Sequence, residues 1–215
     1  MGQKSVKSSV FSLLSRHYIF FILLGYLSGS VLYAYLIPRW FCQIDIMKDT
    51  SDHNPGTFNA FKKAGPKVGT LVICLELAKG FLPVYLASRA LDTTRLLFAF
   101  VLCAPVAGHA FPVFHPKKGG KAIAVSFGVL LGLFPYYRPV LLLACFYLLF
   151  SFCIVIQPHL YRSIITFSLF SLTGMFSFHN TALVIGSLLI SCIVVYKHLI
   201  HHQKEPFSIR FLQRS

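Results

Sequence analysis

Seven apolar stretches, separated by short polar or turn-forming segments, divide the chain at roughly 18–37, 68–87, 96–114, 121–135, 139–156, 163–178 and 181–200. Runs of this length, poor in charge, predict helices that cross a bilayer. The fourth is short at its polar start. The sixth is diluted by Ser163, Thr166, Ser168, Ser171, Thr173 and Ser177. Those hydroxyls either bond to helix carbonyls and neighbouring helices or line a polar cavity. The first run follows Lys4, Lys7 and Arg16 and continues past the small residues Ser28-Gly29-Ser30, so it reads as an uncleaved span rather than a signal peptide.

Composition supports this pattern. Over the 215 residues the hydrophobic share is 56% and the charged share 12%, too little charge for a soluble domain of this size. The expectation is an all-α integral membrane protein of about seven transmembrane helices. A single multi-span domain over 18–200 would sit between a basic N-terminal tail, 1–17, and a basic C-terminal tail, 201–215. No repeat or second domain is visible.

Lys and Arg outnumber Asp and Glu by 20 to 6. The excess suits anionic headgroups and substrates. The basic residues are scattered over several loops, which argues against a nucleic-acid partner. With seven spans, the loop after the first run, the loop after the third, Arg162 and the C-terminal tail share the more basic face. That face should be cytoplasmic, with the N-terminus outside and the C-terminus inside.

Two polar islands fall on that face. The first is Ser51-Asp52-His53-Asn54-Pro55-Gly56-Thr57-Phe58-Asn59, within the long connection 38–67. Asn-Pro-Gly specifies a tight turn, and a helix starting near Thr57 would put Asn59 and Lys62 on one face. Backbone amides, amide side chains and Lys62 could then hold a phosphate or polyol; the alternative is an interfacial helix cap. Trp40 in the same connection is placed for a membrane interface. The second island is Gly108-His109-Ala110-Phe111-Pro112-Val113-Phe114, then Lys118-Gly119-Gly120-Lys121. Phe111-Pro112 should end a helix, leaving His109 either as a base or hydrogen-bond donor, or bonded to a carbonyl freed by Pro112. Two glycines between lysines at a helix start let the backbone approach an anion; ordinary positive-inside charge is the alternative. Glu76 and Lys79, three apart within the second run, can pair as part of a site or as structure.

Other chemistries lack their residues. The cysteines Cys42, Cys74, Cys103, Cys145, Cys153 and Cys192 form no CxxC pair and read as buried free thiols. His198, His201 and His202 have helical spacing, but Glu205 alone could support a metal there, so no metal and no cofactor is expected. There is no serine nucleophile elbow and no His-x4-Asp.

With both islands in view, the chain resembles the bacterial membrane-embedded acyl-phosphate:glycerol-3-phosphate acyltransferase family over about 20–200. Gly108, His109, Phe111, Pro112, Val113, Phe114, Lys118, Gly119, Gly120 and Lys121 match its G-H-x-F-P-V-F and K-G-G-K motif in identity and spacing. Asp45, Ile46, Asn54, Gly56 and Asn59 match its first motif. Glu76, Lys79 and Gly80 echo D-x-x-K-G, and Gly29-Ser30 echo an early G-S. Met47 and Lys62 stand where that motif has arginines, Ser51-Asp52-His53 stand for G-S-G, Phe58 stands for threonine, and Gln157 lies near a usual arginine. The resemblance therefore implies a divergent member.

It also implies an activity: acyl transfer from acyl phosphate to glycerol 3-phosphate, forming lysophosphatidate and phosphate, at the cytoplasmic face of a bacterial cell membrane. By this resemblance His109 and Asn54 are catalytic. Lys118, Gly119, Gly120 and Lys121 hold acyl phosphate. Gly56, Asn59 and Lys62 hold glycerol phosphate, with Ser30, Asp45, Glu76 and Lys79 in support. The substrates and membrane lipids are the partners. The alternatives are a different acceptor or a non-catalytic membrane binding or transport component.

Overall fold

The computed structural model describes residues 2–50, 54–200 and 206–211, with side chains from residue 15 onward, residue 49 excepted. Ser51, Asp52 and His53 of the first island and His201, His202, Lys204, Glu205 and Arg214 of the tail lie outside the described residues, as do the side chains of Lys4 and Lys7.

The described chain is mostly helical. It runs α1 (Gly2–Ser30), α2 (Tyr33–Cys42), α3 (Ile46–Asp49), α4 (Thr57–Ala90), α5 (Leu97–Ala110), α6 (Ile123–Leu131) and α7 (Arg138–Leu148), then a π turn (Leu149–Cys153), β1 (Ile154–Gln157), α8 (His159–Ser177), α9 (Thr181–Ile200) and β2 (Ser208–Phe211). Helix α5 sits between α1 and α9, α4 packs on α6, and α8 packs on α9. The main core joins these elements through Val84, Phe98, Leu102, Val129, Phe167, Phe170 and Ile190. Small residues let the helices close: a Cβ at Gly29 would stand 2.0 Å from the Pro105 carbonyl oxygen, and one at Gly108 would stand 2.1 Å from that of Tyr26. This close seam fixes the end of α5, where His109 lies.

Three stretches are long and apolar enough to cross a membrane by length and composition: Ser15–Cys42, Thr57–Ala90 and Thr181–Ile200. Leu97–Ala110 and Arg138–Cys153 are shorter apolar helices. Several apolar runs therefore fold differently from a plain span. The first is broken at Val31–Leu32. The second begins earlier than its hydropathy suggests and bends at Gly65, whose φ of 82° is strongly disfavoured for residues with a Cβ, just before Pro66. The third stops at Ala110, as Pro112 requires.

The fifth run changes type. Ile154-Val155-Ile156, β-branched throughout, leaves the helix and pairs antiparallel with Ser208–Phe211, Val155 opposite Arg210. The tail thus contributes a strand, and the fold is not purely α. The long connection 38–67 is largely ordered, holding the end of α2, all of α3 and the first turns of α4. The cysteines are all free, but Cys74, Cys145, Cys153 and Cys192 are exposed on the surface rather than buried. They lie on outward faces of an apolar chain, where packing between helices does not reach.

Candidate active site

The site begins where α1 breaks. Leaving the helix at Val31 frees that residue's carbonyl, and Lys79 Nζ of α4 donates to it at 2.7 Å. The new start of α2 offers the Ala34 amide, which donates to Glu76 Oε1 at 3.2 Å. A carboxylate thus meets a helix N-terminus and an ammonium meets a helix C-terminus, the favourable sense of both dipoles. Glu76 and Lys79 pair at 2.7 Å and are almost fully buried. Ser28 Oγ ties the same turn by donating to the Lys79 carbonyl at 2.9 Å.

His109 completes this cluster. Its Nδ1 lies 2.8 Å from Lys79 Nζ and 3.2 Å from Glu76 Oε2. An ammonium can only donate, so Nδ1 accepts and the ring proton is assigned to Nε2. The close approach of Glu76 follows from both groups sharing Lys79. The ring therefore does not bond to a carbonyl freed by Pro112. Behind it, the Gly120 amide donates to the His109 carbonyl at 3.2 Å, and a Cβ at Gly120 would lie 2.3 Å from Nε2. Glycine at 120 makes room for the ring. Gly119 passes the Ala110 carbonyl oxygen, only 1.9 Å from an added Cβ.

From the other side comes the first island. Asn54-Pro55-Gly56 turns into α4, which starts at Thr57 as the spacing predicts. The turn is held by Gly56 N–H donating to the Asn54 carbonyl at 2.8 Å and by Asn59 Nδ2 donating to the same oxygen at 2.9 Å. Asn54, Gly56, Asn59 and Lys62 then share one cavity of about 830 Å³ with Glu76, His109 and Lys121. Ile73, Leu77, Ile123, Phe127 and Leu131 give the same cavity an apolar wall. One space thus offers amides, a histidine and lysines beside a surface for hydrocarbon, the combination an amphipathic anionic substrate needs.

The remaining expected residues lie elsewhere. Lys118 does not join Lys121; its Nζ donates to Tyr35 OH at 2.6 Å and lines a different cavity. The helix after Lys121 begins only at Ile123, past Ala122 at φ 61°. Asp45 caps α3 by accepting from Met47 N–H at 3.2 Å. Ser30 accepts from Val113 N–H at 3.3 Å and donates to the Tyr26 carbonyl, joining the end of α1 to the segment after α5. The hydroxyls of α8 do not line the cavity: Ser163 and Thr166 are buried, and Ser171 donates to the Ser168 carbonyl. Among the described residues no group of three or more His, Cys, Asp or Glu is placed to hold a metal ion.

A family model for glycerol-3-phosphate acyltransferase matches residues 19–204. The chain belongs to the glycerol-3-phosphate acyltransferase family. It is 40% identical over 110 residues to the glycerol-3-phosphate acyltransferase of Thermotoga petrophila, covering 51% of this chain and 55% of that protein. It is 41% identical over 114 residues to that of Myxococcus xanthus, covering 53% and 59%. These matches thus span little more than half the length of either relative. A longer match, 31% identical over 180 residues, covers 84% of this chain and 87% of the Endomicrobium trichonymphae glycerol-3-phosphate acyltransferase. Among solved structures, PlsY (YgiH), an integral membrane glycerol 3-phosphate acyltransferase, is similar in its glycerol 3-phosphate form. The TM-score is 0.75 at 26% identity, over 85% of this chain and 88% of that one. Its lysophosphatidic acid form gives 0.69 at 25% identity, over 84% and 87%.

This acyltransferase-family chain also places in the cavity residues that its sequence did not single out for it: Tyr147, His159, Arg162 and His198. The Arg162 guanidinium lies against the His159 ring and 5.8 Å from the Tyr147 ring centroid. The His159 ring lies tilted against Phe58, at 5.8 Å between centroids, which brings the start of α8 beside the start of α4. A signal was present. The first turn of α8 has no acidic residue but carries His159 and Arg162, against the helix dipole.

Proposed function

We propose that this chain transfers an acyl group from acyl phosphate to the 1-hydroxyl of glycerol 3-phosphate, releasing lysophosphatidate and phosphate in phospholipid synthesis. The observation that carries the reading is the shared cavity, in which residues of both islands meet an apolar wall in a chain of this family.

Acyl phosphate is already activated, so the protein's work is positioning and charge neutralisation. Asn54, Gly56, Asn59 and Lys62 hold glycerol phosphate. Lys121, aided by Arg162, holds the acyl phosphate, and the acyl chain lies along Ile73, Leu77, Ile123, Phe127 and Leu131. The hydroxyl oxygen attacks the acyl carbon, the bond from that carbon to the phosphate oxygen breaks, and the hydroxyl proton leaves with the phosphate. His109, with Nε2–H available as a donor, stabilises the developing oxyanion. Lys79 and Glu76 act as positioning residues by setting its tautomer. Gly119 and Gly120 contribute by letting the loop close around the ring. Ser30 and Asp45 hold the surrounding backbone.

The same reading places the chain in a bacterial cytoplasmic membrane as one multi-span domain over 18–200. It has seven spans, the N-terminus outside and the cavity on the cytoplasmic face.

The test is to incubate purified protein with long-chain acyl phosphate, with and without glycerol 3-phosphate, and to measure phosphate and lysophosphatidate. Product that depends on glycerol phosphate and falls at least 100-fold, about 3 kcal/mol, in His109→Ala and Lys121→Ala is expected. Wild-type rates in either variant would remove that residue from the mechanism. No product from folded wild-type protein would overturn the activity.

A further inference from the structure

Lys118 faces a second cavity of about 420 Å³, lined by Tyr35, Asp45, Met47, Lys48 and Lys118. It shares no lining residue with the reaction cavity. Two cations converge on one phenol there. Lys118 Nζ donates to Tyr35 OH at 2.6 Å and lies 4.2 Å from the ring centroid. Arg39 Nη1 donates to the same hydroxyl from one turn along α2. Among the described residues neither cation forms an ion pair with a carboxylate; Asp45, which caps α3, is the one acidic residue lining the cavity, against Lys48, Lys118 and the adjoining Arg39. Like charges this close repel, so the arrangement calls for a counter-ion.

A second observation points the same way. The His115 ring packs edge-on to Tyr35 at 5.4 Å, and its Nδ1 is buried with no hydrogen-bond partner among the described residues. Burial first, then the charges of Lys118 and Arg39, holds its pKa below the ordinary histidine range. Arg39 and Lys118 thus meet at one buried hydroxyl, with Lys48 on the wall of the same cavity and the His115 ring against Tyr35.

The surroundings select among anions. Trp40 and Phe41, next to Arg39 on α2, are 67% and 70% exposed, and Val113 and Phe114 are exposed close to His115 in sequence. Exposed aromatic residues beside basic ones are what a membrane interface holds.

We propose that Arg39, Lys48 and Lys118 around Tyr35 form a binding site for the phosphate of an anionic phospholipid headgroup, separate from the reaction cavity. Bound there, a phosphate oxygen accepts from Lys118 and Arg39, while the acyl chains run past the exposed aromatics.

The test uses delipidated, detergent-solubilised full-length chain. Native mass spectrometry would measure retention of phosphatidylglycerol, phosphatidylcholine and inorganic phosphate, with thermal shift as a second readout. Wild type should hold phosphatidylglycerol over phosphatidylcholine. Lys118→Gln and Arg39→Gln should each weaken it about tenfold, the worth of one charge-assisted contact, while Lys67→Gln, which lines neither cavity, leaves it unchanged. If either charge variant fails to fold, Tyr35→Phe carries the test. It keeps the ring, frees both cations from their shared anchor, and should still weaken retention severalfold. Equal retention of phosphatidylglycerol in all folded variants would overturn the site. Inorganic phosphate that depends on Lys118 and Arg39, with no preference between the two lipids, would assign the pocket to a soluble anion and overturn the lipid assignment.

Discussion

The chemistry of the candidate site rests on a few atoms that must be neither larger nor differently charged. Gly120 is one. A methyl group there would lie 2.3 Å from His109 Nε2 and displace the ring. Gly120→Ala should therefore give folded protein whose kcat falls at least 10²-fold, as small misplacements of catalytic groups do; steady-state kinetics of the purified variant checks it. Glu76 is another. Its carboxylate compensates Lys79 inside the fold, so Glu76→Ala leaves a buried ammonium with two neutral partners, the Val31 carbonyl and His109 Nδ1, and no counter-charge. The expected loss is about 3–5 kcal/mol, and Glu76→Gln, which keeps the shape, should lose less. Thermal unfolding in one detergent would compare the two variants. A melting temperature unchanged in Glu76→Ala would show that the pair is not structural.

Elements matter through their breaks as much as their regular parts. Helix α4 carries Asn59 and Lys62 before Gly65 and the Glu76–Lys79 pair after it, so the bend at Gly65 sets one half of the site against the other. Among the described residues no atom would clash with a Cβ at Gly65, so the cost of Gly65→Ala is conformational, about 1–3 kcal/mol for that backbone region. Straightening α4 should raise KM for glycerol 3-phosphate more than for acyl phosphate, and substrate titrations of the variant would reveal it. The β1–β2 pairing is tested without kinetics. In a cysteine-free background, Val155→Cys with Arg210→Cys should form a disulfide on mild oxidation, because these residues are directly opposed. A gel-shift assay after a protease cut between the strands would detect the link.

At the scale of the molecule, charge and orientation dominate. With a net charge of +14, and the reaction cavity lined by Lys62, Lys121 and Arg162, the chain should bind anionic substrates more weakly as ionic strength rises. KM should climb with salt while kcat changes less. The proposed topology predicts that a reporter fused to the C-terminus works only if it is active in the cytoplasm; activity of an exported-only reporter would reverse the orientation.

Much of this was legible in one dimension. Hydropathy marked most of the apolar helices, proline marked the end of α5, Asn-Pro-Gly marked the turn into α4, and three-residue spacing paired Glu76 with Lys79. These are local properties, set by backbone geometry and by neighbours within a turn of helix. Tertiary structure decided what depends on distant segments meeting. The break after Ser30 serves Lys79 and Glu76, forty-odd residues away, through backbone groups no sequence pattern displays. Lys118 and Lys121, three apart in sequence, face different cavities because Ala122 starts α6 late and the loop wraps His109. Arg162 reached the site because α8 begins beside α4. Ile154–Gln157 became a strand because the tail supplied a partner edge, and hydrogen bonds between strands have no signature in the hydropathy of either one.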